Sequence, residues 1–184
     1  MFITITGMPA SGKSTICNIL KNKYGFEIFD TARLQREFAE KQGISILEHN
    51  KNLMNDVYGY DNQVDKQMTD FANNNKGKNI VFDARLGWFF VKDSFKVFLT
   101  VDPKVSAEKV VDRNSKTETF ATALEAYNSL LERRELENKR FKKLYNADCN
   151  NMKNFDLVVD TSNTPPERAE EVAELIMKEI KKKP

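Results

Sequence analysis

Eight residues near the start of the chain constrain its fold more than any other stretch. Gly7-Met8-Pro9-Ala10-Ser11-Gly12-Lys13-Ser14 fits G-x-x-x-x-G-K-[ST]. The glycines let the backbone wrap closely around a phosphate, so that successive N–H groups converge on its oxygens. A helix that starts at the lysine adds the positive end of its dipole. The flanking pattern supplies what this mechanism requires. Residues 2–6 are apolar and β-branched, which predicts a buried strand, and residues 13–24 predict a helix with Ile16, Ile19 and Leu20 facing inward, ended by Gly25. The pattern therefore predicts a nucleoside triphosphate held by Gly7, Pro9, Ala10, Ser11, Gly12, Lys13, Ser14 and Thr15. Lys13 is expected to reach the β and γ phosphates, and the Ser14 hydroxyl to ligate magnesium.

The rest of the chain alternates strand and helix. Residues 26–29, 79–82, 96–101 and 155–159 read as further strands, and the second, third and fourth run into Asp30, Asp83 and Asp102. Helices are expected over residues 31–42, over about 103–114 after the Asp102-Pro103 cap, and over about 121–145. A last helix should open on the capping box Thr164-Pro165-Pro166-Glu167, with Val172, Leu175, Ile176 and Ile180 on one face. This order predicts an α/β fold, a parallel sheet covered on both faces with right-handed crossovers. Residues 44–78 are polar and mostly helical, broken at 58–61, and residues 115–120 read as a mobile loop. Trp88, Phe89 and Phe90 read as core beneath the 44–78 insertion.

A magnesium-linked acid should end a strand beside the phosphate loop. Asp83 is the best placed, Asp30 and Asp102 compete, and Asp102 is more simply a helix cap. Two classes of phosphate-loop protein are disfavoured. No N-K-x-D run is present to read a guanine base, and 184 residues are too few for a motor ATPase with its extra elements. With 40% apolar residues the chain suits one domain with one core. A net charge of +2 is too balanced to make nucleic acid the main partner. Cys17 and Cys149 form no C-x-x-C pair, which predicts reduced thiols in a cytoplasmic protein without a disulfide or structural metal. His49, the only histidine, is expected at the surface. No signal peptide is visible, and the longest apolar run, residues 86–91, is too short to span a membrane.

Three further segments carry a resemblance. Asp30-Thr31-Ala32-Arg33-Leu34-Gln35-Arg36 resembles the D-[ST]-G-x-x-x-R stretch of cytidylate kinases. Asp83-Ala84-Arg85-Leu86 resembles their acid-G-R segment, and residues 131–141, Leu-Glu-Arg-Arg-Glu-Leu-Glu-Asn-Lys-Arg-Phe, resemble their arginine-rich lid helix. The short insertion is most similar to that of the compact archaeal and bacterial form. Ala32 and Ala84 stand where the family has glycine. The resemblance implies a P-loop NTPase fold in one domain, with a five-stranded core (residues 1–42, 79–114 and 146–184), an NMP-binding insertion (about 43–78) and a helical lid (about 115–145). It implies transfer of the γ-phosphoryl of ATP to CMP or dCMP, with magnesium, by a monomer. Thr31 would contact the acceptor, with Asp83 beside it. Arg36 and Arg85 would hold its α-phosphate. Arg133 and Arg140 would close over the transferring group, and Arg113 would lie by the adenine. Arg134 is an open case, Lys142 and Lys143 read as surface, and Asp61 and Asp65 are polar candidates for reading the base.

The chemistry of the residues agrees with such a role. A phosphate acceptor is already an anionic nucleophile, so a chain with one histidine needs no general base, and guanidinium groups suit bidentate capture of phosphate. Two other readings stay open. One is a kinase for another small acceptor (AMP, shikimate, dephospho-coenzyme A), although Asp30-Thr31-Ala32 lacks the D-x-D of shikimate kinases and Asp83-Ala84-Arg85 replaces their glycine triplet. The other is a regulatory or RNA-processing module in which the basic helix and the lysines at 181–183 bind an anion.

Overall fold

A computed structural model describes residues 1–44, 48–49, 52–53, 60–112 and 122–182, without the side chains of residues 60–62, 112 and 133. The expected loop at 115–120 and Arg113 lie outside the described residues. The chain runs β1 (Phe2–Gly7), α1 (Lys13–Tyr24), β2 (Glu27–Asp30), α2 (Thr31–Lys41), α3 (Tyr60–Asn74), β3 (Ile80–Asp83), α4 (Gly87–Phe90), β4 (Ser94–Thr100), α5 (Pro103–Asp112), α6 (Ala123–Tyr145), β5 (Leu157–Asp160) and α7 (Ala169–Ile180). The five strands form one parallel sheet in the order β2-β3-β1-β4-β5. Because β1 lies between β3 and β4, the chain leaves its carboxyl end where the strand order reverses, the usual crevice for ligands in open α/β sheets.

The β-branched strands are buried because both faces of the sheet are covered. On one face Ile3, Ile5, Val81, Val97 and Leu99 pack with Ile16, Cys17 and Leu20 of α1 and with Val172, Ala173 and Ile176 of α7. Each such side chain contributes about 1.5–3 kcal/mol on full burial. On the other face Phe29, Ile80, Phe82 and Ala84 meet Met68 and Ala72 of α3. The α3 helix is thus polar outside and apolar inside, and it docks the insertion on the sheet.

Several local expectations are corrected. Leu175 is exposed, because the inner face of α7 runs through Ala169, Val172, Ala173 and Ile176. The capping box does not form. Residues Pro166–Arg168 make a 3-10 turn without a side-chain cap, and α7 starts after it. Cys17 was missed as core, and it is buried beside Ile16 and Leu20. Trp88 and Phe89 lie largely under the end of α6, packed with Phe155 and Tyr145, while Phe90 also meets the α3 cluster. His49 is fully buried rather than at the surface, with its ring 5.4 Å from that of Phe38, and burial lowers its pKa. The Asp102 cap is present: its carboxylate accepts from Lys104 N at 2.8 Å.

Candidate functional site

The phosphate loop is shaped by two glycines and gripped by three other elements. A Cβ on Gly7 would lie 2.3 Å from the Leu99 carbonyl oxygen of β4, so only glycine fits this approach. Gly12, at φ 85°, turns the chain into α1. Ala10 takes φ 53°, a left-handed conformation uncommon outside glycine, so the loop stores some backbone strain. The grip comes from hydrogen bonds. Met8 N donates to Leu99 O at 3.0 Å, and Ser106 Oγ of α5 donates to Pro9 O at 2.7 Å. Thr161 Oγ1, just after β5, lies 3.1 Å from Ser11 O and 2.8 Å from Thr100 O. The loop is therefore preorganised by groups 97 and 150 residues away in sequence.

Lys13 folds back over the loop, its ammonium donating to Met8 O at 2.9 Å and Gly7 O at 3.2 Å. Burial, and then the nearby Arg85, lower its pKa from 10.5 to about 8, against the pull of Asp83 and Glu137. A buried cation at the mouth of a glycine loop has an unmet demand for negative charge, which triphosphate oxygens would meet. The Ser11 hydroxyl is buried and finds no partner among the described residues, another polar group that a bound oxygen would satisfy.

Ser14 Oγ, at the first turn of α1, donates to Asp83 Oδ2, at the end of β3, over 3.0 Å. Two adjacent oxygens of an octahedral ion with about 2.1 Å bonds also lie about 3 Å apart, so this pair fits magnesium or its waters. Among the described residues no three acidic, histidine or cysteine side chains cluster. Magnesium in such sites takes one or two protein oxygens and completes its shell with phosphate and water. Burial raises the Asp83 pKa, while Lys13 and the Ser14 hydrogen bond oppose the shift. Asp30 pairs in register with Asp83 on the next strand, but its Oδ1 is used as the N-cap of α2, accepting from Ala32 N at 2.8 Å and Arg33 N at 3.1 Å.

The remaining residues singled out in sequence are distributed as follows. Thr31 Oγ1 donates to Asp83 O at 3.0 Å, which places Thr31 beside the Ser14–Asp83 pair. Arg85, two residues after Asp83, forms an ion pair with Glu137 that joins the exit of β3 to α6. Arg36 is exposed and pairs with Asp30 at 3.6 Å. The guanidinium carbon of Arg140 lies 4.9 Å from the centre of the Phe141 ring, and Arg134 donates to Asn150 Oδ1 at 3.0 Å. Arg133 belongs to α6, but its side chain, like that of Asp61, lies outside the described residues. Ala32 and Ala84 take ordinary negative φ, so the two turns do not need the glycines expected there. Sequence reasoning missed Thr6, Ser106, Thr161 and Glu137. Thr6, Ser106 and Thr161 are polar residues outside any motif, Glu137 lies in the arginine-rich segment without its pairing being visible there, and the partner of each is distant in the chain.

The sequence model of the cytidylate kinase-like family matches residues 2–163. The cytidylate kinase of Sulfurisphaera tokodaii is 31% identical over 95% of this chain and 93% of its own length. That of Methanocaldococcus jannaschii is 32% identical over 88% of this chain and 89% of its own. Among solved structures, shikimate kinase from Aquifex aeolicus superposes with a TM-score of 0.57, at 21% identity over 98% of this chain and 96% of its own, which shows a shared fold.

Proposed function

The chain belongs to the cytidylate kinase-like family, and on that premise we propose that it transfers the γ-phosphoryl of ATP to CMP or dCMP, giving CDP or dCDP and ADP. It is an ATP-dependent nucleoside monophosphate kinase; the pyrimidine acceptor is the finer reading. The pyrimidine rests on the likeness to cytidylate kinases, while the observation that carries phosphoryl transfer to a nucleotide phosphate is the exit of β3. There Asp83 faces Ser14 across 3.0 Å and Arg85 follows two residues later, so a donor site and an anion-binding group for an acceptor share one turn. The three-residue turn Asp83-Ala84-Arg85 has no glycine triplet, which weighs against a shikimate-type acceptor.

Gly7, Pro9, Ala10, Ser11, Gly12 and Thr15 supply the loop around the ATP phosphates, with Lys13 on the β and γ groups. Ser14 and Asp83 would hold magnesium, which would neutralise charge on the phosphates. Thr31, Arg36 and Arg85 bind and orient the acceptor. Its phosphate oxygen is already anionic, so no proton need be removed before attack and alignment carries most of the rate. Arg133 and Arg140 of α6 would stabilise charge on the transferring group, and Arg113 would contact the adenine. An arginine in that role is worth about 10³–10⁵ in rate. Lid closure excludes water and so suppresses hydrolysis of ATP.

The test is release of ADP with magnesium and ATP on a panel of CMP, dCMP, UMP, AMP, GMP and shikimate. Turnover on CMP or dCMP should exceed the others by well over tenfold. Preference for AMP or shikimate would overturn the pyrimidine reading. ATP binding without acceptor-dependent turnover would overturn the kinase reading itself.

A further inference from the structure

The backbone turn that carries both Asp83 and Arg85 is held by side-chain hydroxyls rather than by the sheet. The β1–β3 ladder ends at Ile5 opposite Asp83, and beyond it β1 continues against β4 alone, Thr6 opposite Phe98 and Gly7 opposite Leu99. Three successive carbonyls of the departing chain then need partners. The Asp83 carbonyl accepts from Thr31 Oγ1. The Ala84 carbonyl, at 2.6 Å, and the Arg85 carbonyl, at 2.9 Å, both face the hydroxyl of Thr6, which is 5% exposed. Thr6 directly precedes Gly7, the first residue of the phosphate loop.

We propose that Thr6 is a positioning residue for the acceptor phosphate, its hydroxyl fixing the Ala84–Arg85 backbone so that the Arg85 guanidinium meets the acceptor in register with the donor loop. This rests on the reading of Arg85 as the acceptor's phosphate ligand. The geometry gives it content. A single buried O–H bridges the residue before the donor loop and the backbone of the residue that would grip the acceptor, beyond the point where the β1–β3 ladder ends. Reacting groups must be aligned to within a fraction of an ångström, and a turn free to relax would spoil that alignment without emptying either site.

The test uses the full chain and three variants. Thr6→Val keeps shape and strand preference but removes the hydroxyl. Thr6→Ser keeps the hydroxyl. Arg85→Ala removes the proposed ligand. KM is measured separately for CMP and for ATP, and the double variant Thr6→Val/Arg85→Ala closes the cycle. Thr6→Val should raise the CMP KM about tenfold and leave the ATP KM within about twofold. Thr6→Ser should lie within about threefold of wild type. The double variant should be no worse toward CMP than Arg85→Ala alone, because Thr6 acts through Arg85. If Arg85→Ala raises the CMP KM while Thr6→Val merely lowers the melting temperature, or if the two effects multiply, Thr6 is structural and the proposal fails with the function intact. If Arg85→Ala leaves the CMP KM unchanged, the assignment of Arg85 fails and the role of Thr6 falls with it. Should Thr6→Val not fold, Thr6→Ala against Thr6→Ser gives the same comparison.

Discussion

Replacing Lys13 with methionine should stabilise the nucleotide-free protein while destroying its activity. The ammonium is held among loop carbonyls and beside Arg85, and its pKa falls from 10.5 to about 8. At about 1.4 kcal/mol per pH unit, that gap makes the charged form cost the folded state about 3 kcal/mol at neutral pH. Methionine removes the charge but also forfeits two hydrogen bonds, at about 0.5–1.5 kcal/mol each. The net gain at pH 7 should be about 0–2 kcal/mol. The sign of the pH dependence follows from linkage. Between about pH 8 and 10.5 the unfolded chain holds a proton that the folded chain has lost, so raising the pH favours the folded wild type. The wild type should therefore gain on the variant across that window, recovering most of the 3 kcal/mol by pH 10. Urea titrations of both proteins at pH 7, 8, 9 and 10 measure this, and other titrating groups cancel in the difference. Adding ATP with magnesium should reverse the order, since ligand binding stabilises only the protein that binds it. A stability difference that stays constant within about 0.5 kcal/mol from pH 7 to 10 would refute the reasoning.

Gly7→Ala should cost several kcal/mol or prevent folding, because its methyl would meet the Leu99 carbonyl at 2.3 Å; thermal denaturation with ATP-binding calorimetry reads both losses. Asp83→Asn should lower kcat by at least about 10²-fold with little change in ATP affinity measured without magnesium. Burial raises the Asp83 pKa, so the wild type should show, in magnesium-dependent ATP binding, an acid component at higher pH than a solvated aspartate would give, and the asparagine variant should lack that component. Cys149, its thiol pushed up to about 11 by burial and by Glu137, should resist iodoacetamide at pH 7.5 and react only as the pH approaches that value, as followed by mass spectrometry.

The sheet was legible in the sequence because its strands appear as short apolar runs, almost wholly buried in β1, β3 and β4 and half-buried in the edge strands β2 and β5. All five runs became strands, with ends shifted by one or two residues. The phosphate loop was legible because its chemistry is local, eight contiguous residues with a strand before and a helix after. Asp83 stood out by ending a strand next to β1, and the structure brings it to Ser14. What stayed hidden is whatever depends on partners far along the chain. Thr6 in a strand of isoleucines looks like any polar interruption until the turn 78 residues later folds over it. His49 is buried against Phe38 of α2, a tertiary contact that no periodicity in its own segment announces. At Thr164 the local motif was present, but two prolines direct the chain into a 3-10 turn first, and the helix begins beyond the reach of the cap.

The bond from Thr161 to the Ser11 carbonyl also bears on the order in which the protein is made. The nucleotide grip begins in the first strand and its glycine turn, yet one of its fastenings arrives 150 residues later, after the fifth strand has been synthesised. A nascent chain halted before residue 161 would present the whole glycine motif and still lack a finished cradle, so ATP would reward folding only after the fifth strand has been made.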